Sequence, residues 1–366
     1  LTHSVQALDL SMTLGPEAAT DTTEAVKRIQ QVKADFGNRL VILAHHYQRD
    51  AIVDLADFRG DSLQLSRQAT QTEAEAIIFC GVHFMAEVAA ILAKPGQHVL
   101  IPDETAGCYL ADTATPAGVA KAWHALDTAL GDAGQEVTPI TYVNSSAALK
   151  AFCGRHNGIV CTSGNAHRVI RWALTQRPRI FFFPDQHLGR NTAHQMGIAD
   201  EEMVVWQPHN PLCPEALSAA KVILWPGACN VHQRFREEHV TQVRELYPGI
   251  QVIVHPECRA DVVRLADQSG STAYIIKQID ASPAGTRWAV GTEAHLVARL
   301  QKEHPEQTII SLSEVPADCR TMSQITLDKL AQTATALAEG KLQGVVTVDE
   351  ETTRWARVAL ERMLAL

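Results

Sequence analysis

The sequence predicts an α/β fold built from three similar three-layer units, each a parallel sheet with helices on both faces. Two observations carry this. Short β-branched runs recur along the chain, apolar throughout and ending in polar or glycine-rich residues, with helical patterns such as "DSLQLSRQATQTEA" and "HLVARLQKEHPE" between them. Continuous apolar strands alternating with helices belong to parallel sheets buried on both faces. The polar content also recurs in three rounds. Each round opens on a strand ending in a chemical cluster ("HHYQ", "YVNSS", "HPE"), continues through "GVHF", "TSGNA" or "GST", and closes on a loop cysteine, Cys108, Cys229 or Cys319. A repeat of roughly a hundred residues is a repeat of whole domains rather than of a short solenoid unit.

In chain order, the first unit opens with "RLVILAHHYQ" (39–48), where the apolar run Leu40 to Leu43 leads into two histidines, a tyrosine and a glutamine. "AIIFCGVHF" (76–84) and "HVLIPDETAGC" (98–108) follow. The second unit has "PITYVNSS" (139–146), "GIVCTSGNA" (158–166), "RIFFFPDQHLG" (179–189) and "KVILWPGAC" (221–229), interrupted by a Pro-rich polar loop, "EEMVVWQPHNPLCPEAL" (201–217). The third has "QVIVHPEC" (251–258), "STAYIIKQI" (271–279), "RWAVGTEAHL" (287–296) and "QTIISLSEVPADC" (307–319), all expected as strand runs. The units are therefore expected at 25–108, 109–229 and 230–319. Residues 1–24 form an N-terminal extension and 320–366 a C-terminal helical segment packing back on the core.

Composition narrows the function. The chain has 366 residues, 46% hydrophobic and 20% charged, enough for a large core. No apolar stretch reaches the roughly 18 residues a membrane helix needs. The opening "LTHSVQALDLSMTLGPEAATD" lacks the basic start and apolar segment of a secretory signal. A net charge of −9 without a Lys/Arg run argues against nucleic acid and anionic membranes as partners. The eight cysteines include no C-x-x-C pair, which excludes zinc-ribbon and thioredoxin patterns. Without an export signal, a reducing, cytoplasmic setting is expected rather than a disulfide framework.

The cysteines sort by context. Cys80 in "IIFC" and Cys161 in "GIVC" read as buried packing residues. Cys153 reads as a helix-end residue, and Cys213 lies in the 201–217 loop. Cys108, Cys229 and Cys319 each follow a strand in a Gly/Pro/Ala-flanked loop, where a thiolate can be presented to a cavity, with Cys258 in "HPECR" the next candidate. One cysteine from each unit can meet at a shared axis. A structural zinc normally takes four closed ligands. A [4Fe–4S] cluster on three cysteines leaves one iron open to act as a Lewis acid.

Taken in order, "AHHYQ", "ADFRGDSLQLSRQA", "GVHFMAE", "PDETAGC", "YVNSSA", "CTSGNA", "PDQHLGRNTA", "LWPGACNVHQRF", "VIVHPEC", "GST" and "GTE" resemble the quinolinate synthases, over about residues 38 to 330. The resemblance implies three α/β units around a pseudo-threefold axis with a [4Fe–4S] cluster at the centre, held by Cys108, Cys229 and Cys319. It implies condensation of iminoaspartate with dihydroxyacetone phosphate to quinolinate, in NAD biosynthesis, with coupling to the enzyme that supplies iminoaspartate. Some family members carry C-x-x-C-x-x-C near the last ligand; here Cys319 stands alone, which argues against disulfide control there.

By the same resemblance the substrate-binding residues are His45, Ser62, Tyr142, Asn144, Ser163, His255, Glu257, Ser271 and Thr272. His45, Tyr47, His255 and Glu257 are the catalytic candidates. The residue types suit the chemistry. Hydroxyls, amides and helix starts such as "SGST" and "TSGNA" hold carboxylates and phosphate. His255 and Glu257, two residues apart, share one face of a strand and can pass protons to one site, as can His45 and Tyr47, with His46 on the opposite face. His83 and Met85 are read chiefly as core, with Met85 able to line the cavity. Asp185 and His187 are expected to form a loop hydrogen-bond pair, His3 and His124 to have no role, and "REEH" (236–239) to be a solvated helix face. Two rival functions are an iron–sulfur hydro-lyase on a hydroxy-acid and a non-catalytic metal-storage or scaffold protein.

Overall fold

The computed structural model describes residues 19–207 and 214–366. It holds three sheets, and every strand pair in them is parallel. The first contains β1 (Leu40–His45), β2 (Phe58–Gly60), β3 (Ala76–Cys80) and β4 (His98–Leu100) in the order β2-β1-β3-β4. The second contains β5 (Val137–Tyr142), β6 (Ile159–Cys161), β7 (Arg179–Phe183), β8 (Met203–Val205) and β9 (Val222–Leu224) in the order β6-β5-β7-β9-β8. The third contains β10 (Gln251–Val254), β11 (Gln268–Ser269), β12 (Arg287–Gly291) and β13 (Thr308–Ser311) in the order β11-β10-β12-β13. Without β8 the three orders are identical. β8 comes from the 201–217 loop, of which residues 208–213, Cys213 among them, lie outside the described residues. In such sheets ligands bind beyond the carboxyl ends of the strands, where the order reverses. That point falls between the first and third strands of each unit.

Both faces of the third sheet are covered, as continuous apolar strands require. Val252, Val254, Ala289 and Leu312 pack on one side, and Ile253, Trp288, Val290 and Ile309 on the other. Burying each large apolar side chain contributes roughly 1.5–3 kcal/mol. The run 271–279 is a helix, Thr272–Asp280, and not a strand. Ser271 caps it through the Tyr274 amide at 3.3 Å, and Ile275 and Ile279, one turn apart, are its buried face. The sequence pattern missed β2, β8 and β11. They are two or three residues long and sit at sheet edges, too short to show a periodicity.

Of the expected extension 1–24, residues 1–18 lie outside the described residues and 19–24 begin the helix Ala19–Phe36. Near the C-terminus, the helix Leu327–Ala338 packs on Ala19–Phe36, and Glu350–Leu364 packs on Ala147–Arg155. The latter contact is backbone-close: a Cβ at Gly154 would collide with the Trp355 carbonyl.

Candidate active site

The ends of β1, β5 and β10 bring His45, Tyr47, Tyr142, Asn144, His255 and Glu257 to one cavity, which Cys108, Cys229 and Cys319 also line. Counting all space between atoms and its open mouth, the cavity measures ≈ 700 Å³. His45 with Tyr47, and His255 with Glu257, do share the cavity, but a turn rather than strand alternation puts them there. β1 stops at His45, and the Gln48 amide closes back onto the His45 carbonyl at 2.9 Å. Past β10 the Cys258 amide does the same to the His255 carbonyl at 3.0 Å. In each turn the histidine Nδ1 accepts an amide two residues on, Tyr47 at 3.1 Å and Glu257 at 3.4 Å. With Nδ1 used as acceptor, the neutral ring carries its proton on Nε2. For His255 that nitrogen lies 3.3 Å from Ser163 Oγ. His46 is buried, outside the cavity lining, and its carbonyl receives Arg299 at 2.8 Å.

Hydrogen bonds join the units across the cavity. Tyr142 of the second unit donates to Glu257 Oε1 of the third at 2.5 Å. Glu257 Oε2 faces His232 Nδ1 at 3.1 Å, and His232 Nε2 lies 3.4 Å from Thr292 Oγ1. Thr292 Oγ1 is 3.0 Å from the hydroxyl of Tyr47, which also meets Thr272 Oγ1 at 3.1 Å. A continuous chain therefore runs Tyr142–Glu257–His232–Thr292–Tyr47, and the His232 and His255 rings stack at 4.4 Å.

Burial sets the charges. It pushes the His45 and His255 rings down, His255 to about 3, with neighbouring imidazoles adding to the effect, so both rings are neutral at pH 7. Burial alone would push Glu257 up. His232, His255 and the Tyr142 hydroxyl outweigh it and hold the carboxyl below its usual range. Burial, then the Glu257 charge, pushes Tyr142 and Asp185 well up. Glu257 therefore carries the negative charge of this buried group, and Tyr142 and Asp185 keep their protons.

One device places all three cysteines. The first amide of the helix after the third strand of each unit donates to the carbonyl two residues before the cysteine: His83 to Ala106 at 2.7 Å, Gln186 to Gly227 at 2.9 Å, Ala294 to Ala317 at 3.1 Å. Each cysteine carbonyl then accepts the amide four residues later, from Asp112 at 3.1 Å, Gln233 at 3.0 Å and Ser323 at 3.0 Å. The three thiols thus sit at the start of equivalent helical turns. Burial raises all three, Cys108 to about 12, and Cys108 and Cys319 lie close enough to add to the rise of Cys229. Such thiols stay protonated unless a cation replaces the proton.

The donor set fits a cluster: three thiols from three directions, on one cavity that keeps room beside them. A tighter set, Cys229, His232 and Glu257, has donor atoms within 4.8 Å of one another. There His232 and Glu257 already satisfy each other, so that set suits an ion less well. Cys258 is buried, with its thiol 3.6 Å from the Gly291 carbonyl, and does not line the cavity. Cys80 and Cys161 are fully buried in strands, and Cys153 near a helix end.

Ser62, Ser163, Thr272 and Met85 also line the cavity, and Asn144 Oδ1 is buried there without a partner among the described residues. Ser271 does not line it, because its hydroxyl is taken by the helix cap. The "SGST" helix start is partly occupied too: Asp61 caps the helix Ser62–Gln71 and also receives the Ala273 amide. The "TSGNA" helix, Ala166–Gln176, has no side-chain cap and remains open to an anion. His83 stays outside the lining, and Asp185 accepts the Leu188 amide at 2.7 Å as a helix cap. The sequence reading missed His232, Thr292 and Glu293. The signal for His232 was its place three residues after Cys229, one helical turn on.

No helix among the described residues is long and apolar enough to cross a membrane. A family profile described as "Quinolinate synthetase A protein" matches residues 27–365. The chain is 50% identical to a protein named quinolinate synthase from Rhodopirellula baltica, covering 96% of this chain and 93% of that one. It is 47% identical to one of the same name from Lysinibacillus sphaericus, covering 99% of each. These matches span the three sheets and all three cysteine loops, and the chain belongs to the quinolinate synthetase A family.

Proposed function

We propose that this protein is a quinolinate synthase, an enzyme that condenses iminoaspartate with dihydroxyacetone phosphate to quinolinate, with loss of two waters and phosphate, in NAD biosynthesis. The observation that carries the reading is the convergence of three equivalently built cysteine loops on one cavity with the Tyr142–Glu257–His232–Thr292–Tyr47 chain. Cys108, Cys229 and Cys319 would hold a [4Fe–4S] cluster, whose open iron supplies Lewis acidity toward a substrate oxygen or nitrogen.

The protein's own residues do the rest. Ser163, the open start of the helix Ala166–Gln176 and the unpartnered Asn144 amide seat substrate anions. Ser62 and Thr272 add hydroxyls from the other two units. Neutral His45 and His255 present donors without a positive charge to be neutralised. Glu257, ionised and touching Tyr142, accepts a proton through that hydroxyl and returns it in the dehydration and ring-closing steps. The chain through His232 and Thr292 links this group to Tyr47 on the far side of the cavity. Ser271 enters the proposal only as the cap that aims Thr272. A cytoplasmic location and functional coupling to the enzyme supplying iminoaspartate belong to the same reading.

The test is anaerobic reconstitution followed by iron and sulfide analysis and assay with both substrates. Quinolinate formed only in the iron-loaded protein is expected. Iron uptake with activity on a hydroxy-acid alone would favour a hydro-lyase. Iron uptake without quinolinate formation, and changes at Tyr142 and Asn144 that cost no activity, would point to a storage or scaffold protein.

A further inference from the structure

One buried carboxylate, Glu293, stands behind the third cysteine loop and takes no part in the hydrogen-bond chain of the cavity. Glu293 receives the amides of His295 at 2.9 Å and Leu296 at 3.3 Å on one oxygen, capping the helix Ala294–Glu303. Its other oxygen receives the Cys319 amide at 3.2 Å and meets His295 Nδ1 at 2.8 Å. Capping alone does not need a buried acid. This chain caps the helices Pro116–Leu130, Ala147–Arg155 and Leu327–Ala338 with Thr115, Ser146 and Thr326. A buried carboxylate also carries a desolvation cost that a hydroxyl largely avoids. What the acid adds is a second oxygen, and that oxygen holds the backbone of the cysteine.

The second unit has a buried acid at the matching position without the same tie. Asp185 is fully buried and caps the helix Gln186–Gln195 through the Leu188 amide, and its other oxygen has no partner among the described residues. In the first unit the matching position is Val82, which has no acceptor to offer Cys108.

We propose that Glu293 is a positioning residue for Cys319. It ties the ligand's backbone to the helix after the third strand, so that the thiol is aimed into the cavity before iron arrives. The inference rests on reading the three cysteines as cluster ligands. It makes the third loop preorganised and leaves the other two to close onto the cluster.

The test uses the full chain, reconstituted anaerobically, with Glu293→Ser and Glu293→Asp. Serine keeps a helix cap and removes the oxygen on Cys319, while aspartate keeps a second carboxylate oxygen on a shorter side chain. Glu293→Ser is expected to melt within a few degrees of the parent yet lose iron to excess chelator roughly tenfold faster or more, as loss of a ligand's supporting partner typically does. Glu293→Asp is expected to recover most of the retention. Equal rates of iron loss in Glu293→Ser and the parent overturn the proposal, and so does an aspartate variant as fast as the serine one. Should Glu293→Ser fail to fold, Glu293→Thr, the cap this chain uses at Thr115 and Thr326, makes the same comparison. A parent that takes up no iron removes the cluster reading and this inference with it; iron held equally by all variants removes this inference alone.

Discussion

Replacing Glu257 by glutamine separates the shape of the site from its capacity for protons. The carboxylate takes the Tyr142 hydroxyl at 2.5 Å and faces His232 Nδ1 at 3.1 Å, so both neighbours act as donors. A carboxamide of the same size offers one acceptor and one donor. His232 can accommodate it by moving its proton to Nε2, where Thr292 Oγ1 lies at 3.4 Å, so fold and cavity persist. What disappears is the group proposed to take a proton from Tyr142 and give it back. Removing a general acid–base costs roughly 10²–10⁴-fold in rate, or about 3–5 kcal/mol on the barrier. The expected result is full iron content, intact substrate binding and turnover slower by at least about a hundredfold. Single-turnover quinolinate formation under anaerobic conditions, with iron measured in the same sample, reads this directly. Near-normal turnover at full iron content would refute the reasoning: Glu257 would then only shape the cavity, and the proton would travel through His255 or Tyr47.

Cys108→Ala, Cys229→Ala and Cys319→Ala should each abolish iron binding, whereas Cys80→Ala and Cys161→Ala keep it and lose about 1 kcal/mol in denaturant unfolding; iron retained by Cys319→Ala but lost by Cys80→Ala would reverse the assignment. His45→Ala should lower turnover far more than His46→Ala at equal iron content, because only His45 lines the cavity, and equal losses would contradict this. Burial, then Arg299, holds the His46 ring down at about 4 against an ordinary 6.5, so the unfolded chain binds a proton that the folded one refuses. Stability is complete above pH 6.5 and falls below it, by about 2 kcal/mol at pH 5 from this one group. Urea unfolding of His46→Gln at the two pH values should show a correspondingly smaller decline. Gly154→Ala should cost roughly 1–3 kcal/mol, since the new methyl meets the Trp355 carbonyl; unchanged unfolding would mean that the two helices shift apart freely.

The strand runs and the threefold recurrence were legible because burial on both sheet faces leaves an unbroken apolar signature, as in Leu40 to Leu43 or Phe181 to Phe183. The helix Thr272–Asp280 was misread for a related reason: "AYIIKQI" is β-branched in composition, and only the Ser271 cap and the one-turn spacing of Ile275 and Ile279 mark it as helical. Within the site, the three loop cysteines and the residues at the ends of β1, β5 and β10 could be read from sequence. Thr292 and Glu293, just past β12, could not, because their partners, Tyr47 and His232 for one and Cys319 for the other, are set by packing between distant segments. His45 and Tyr47 were placed on one side for the wrong reason. A two-residue spacing in a strand and the same spacing in a tight turn give the same outcome, and sequence alone does not separate them.

The convergence of three loops from three units has a consequence for synthesis of the chain. Cys108 and Cys229 leave the ribosome before Cys319 exists, and at ordinary elongation rates Cys108 waits roughly 10–40 s for its last partner. The hydrogen bonds that close the cavity, Tyr47 to Thr292 and Tyr142 to Glu257, are equally out of reach until the third unit has been made. While residues 230–319 are being made, two thiols, without the third, face whatever oxidants and stray metal ions surround the nascent chain. On the cluster reading proposed above, sensitivity to oxidants begins before any cluster is present, and iron loading is expected to rise under growth conditions that spare thiols during translation.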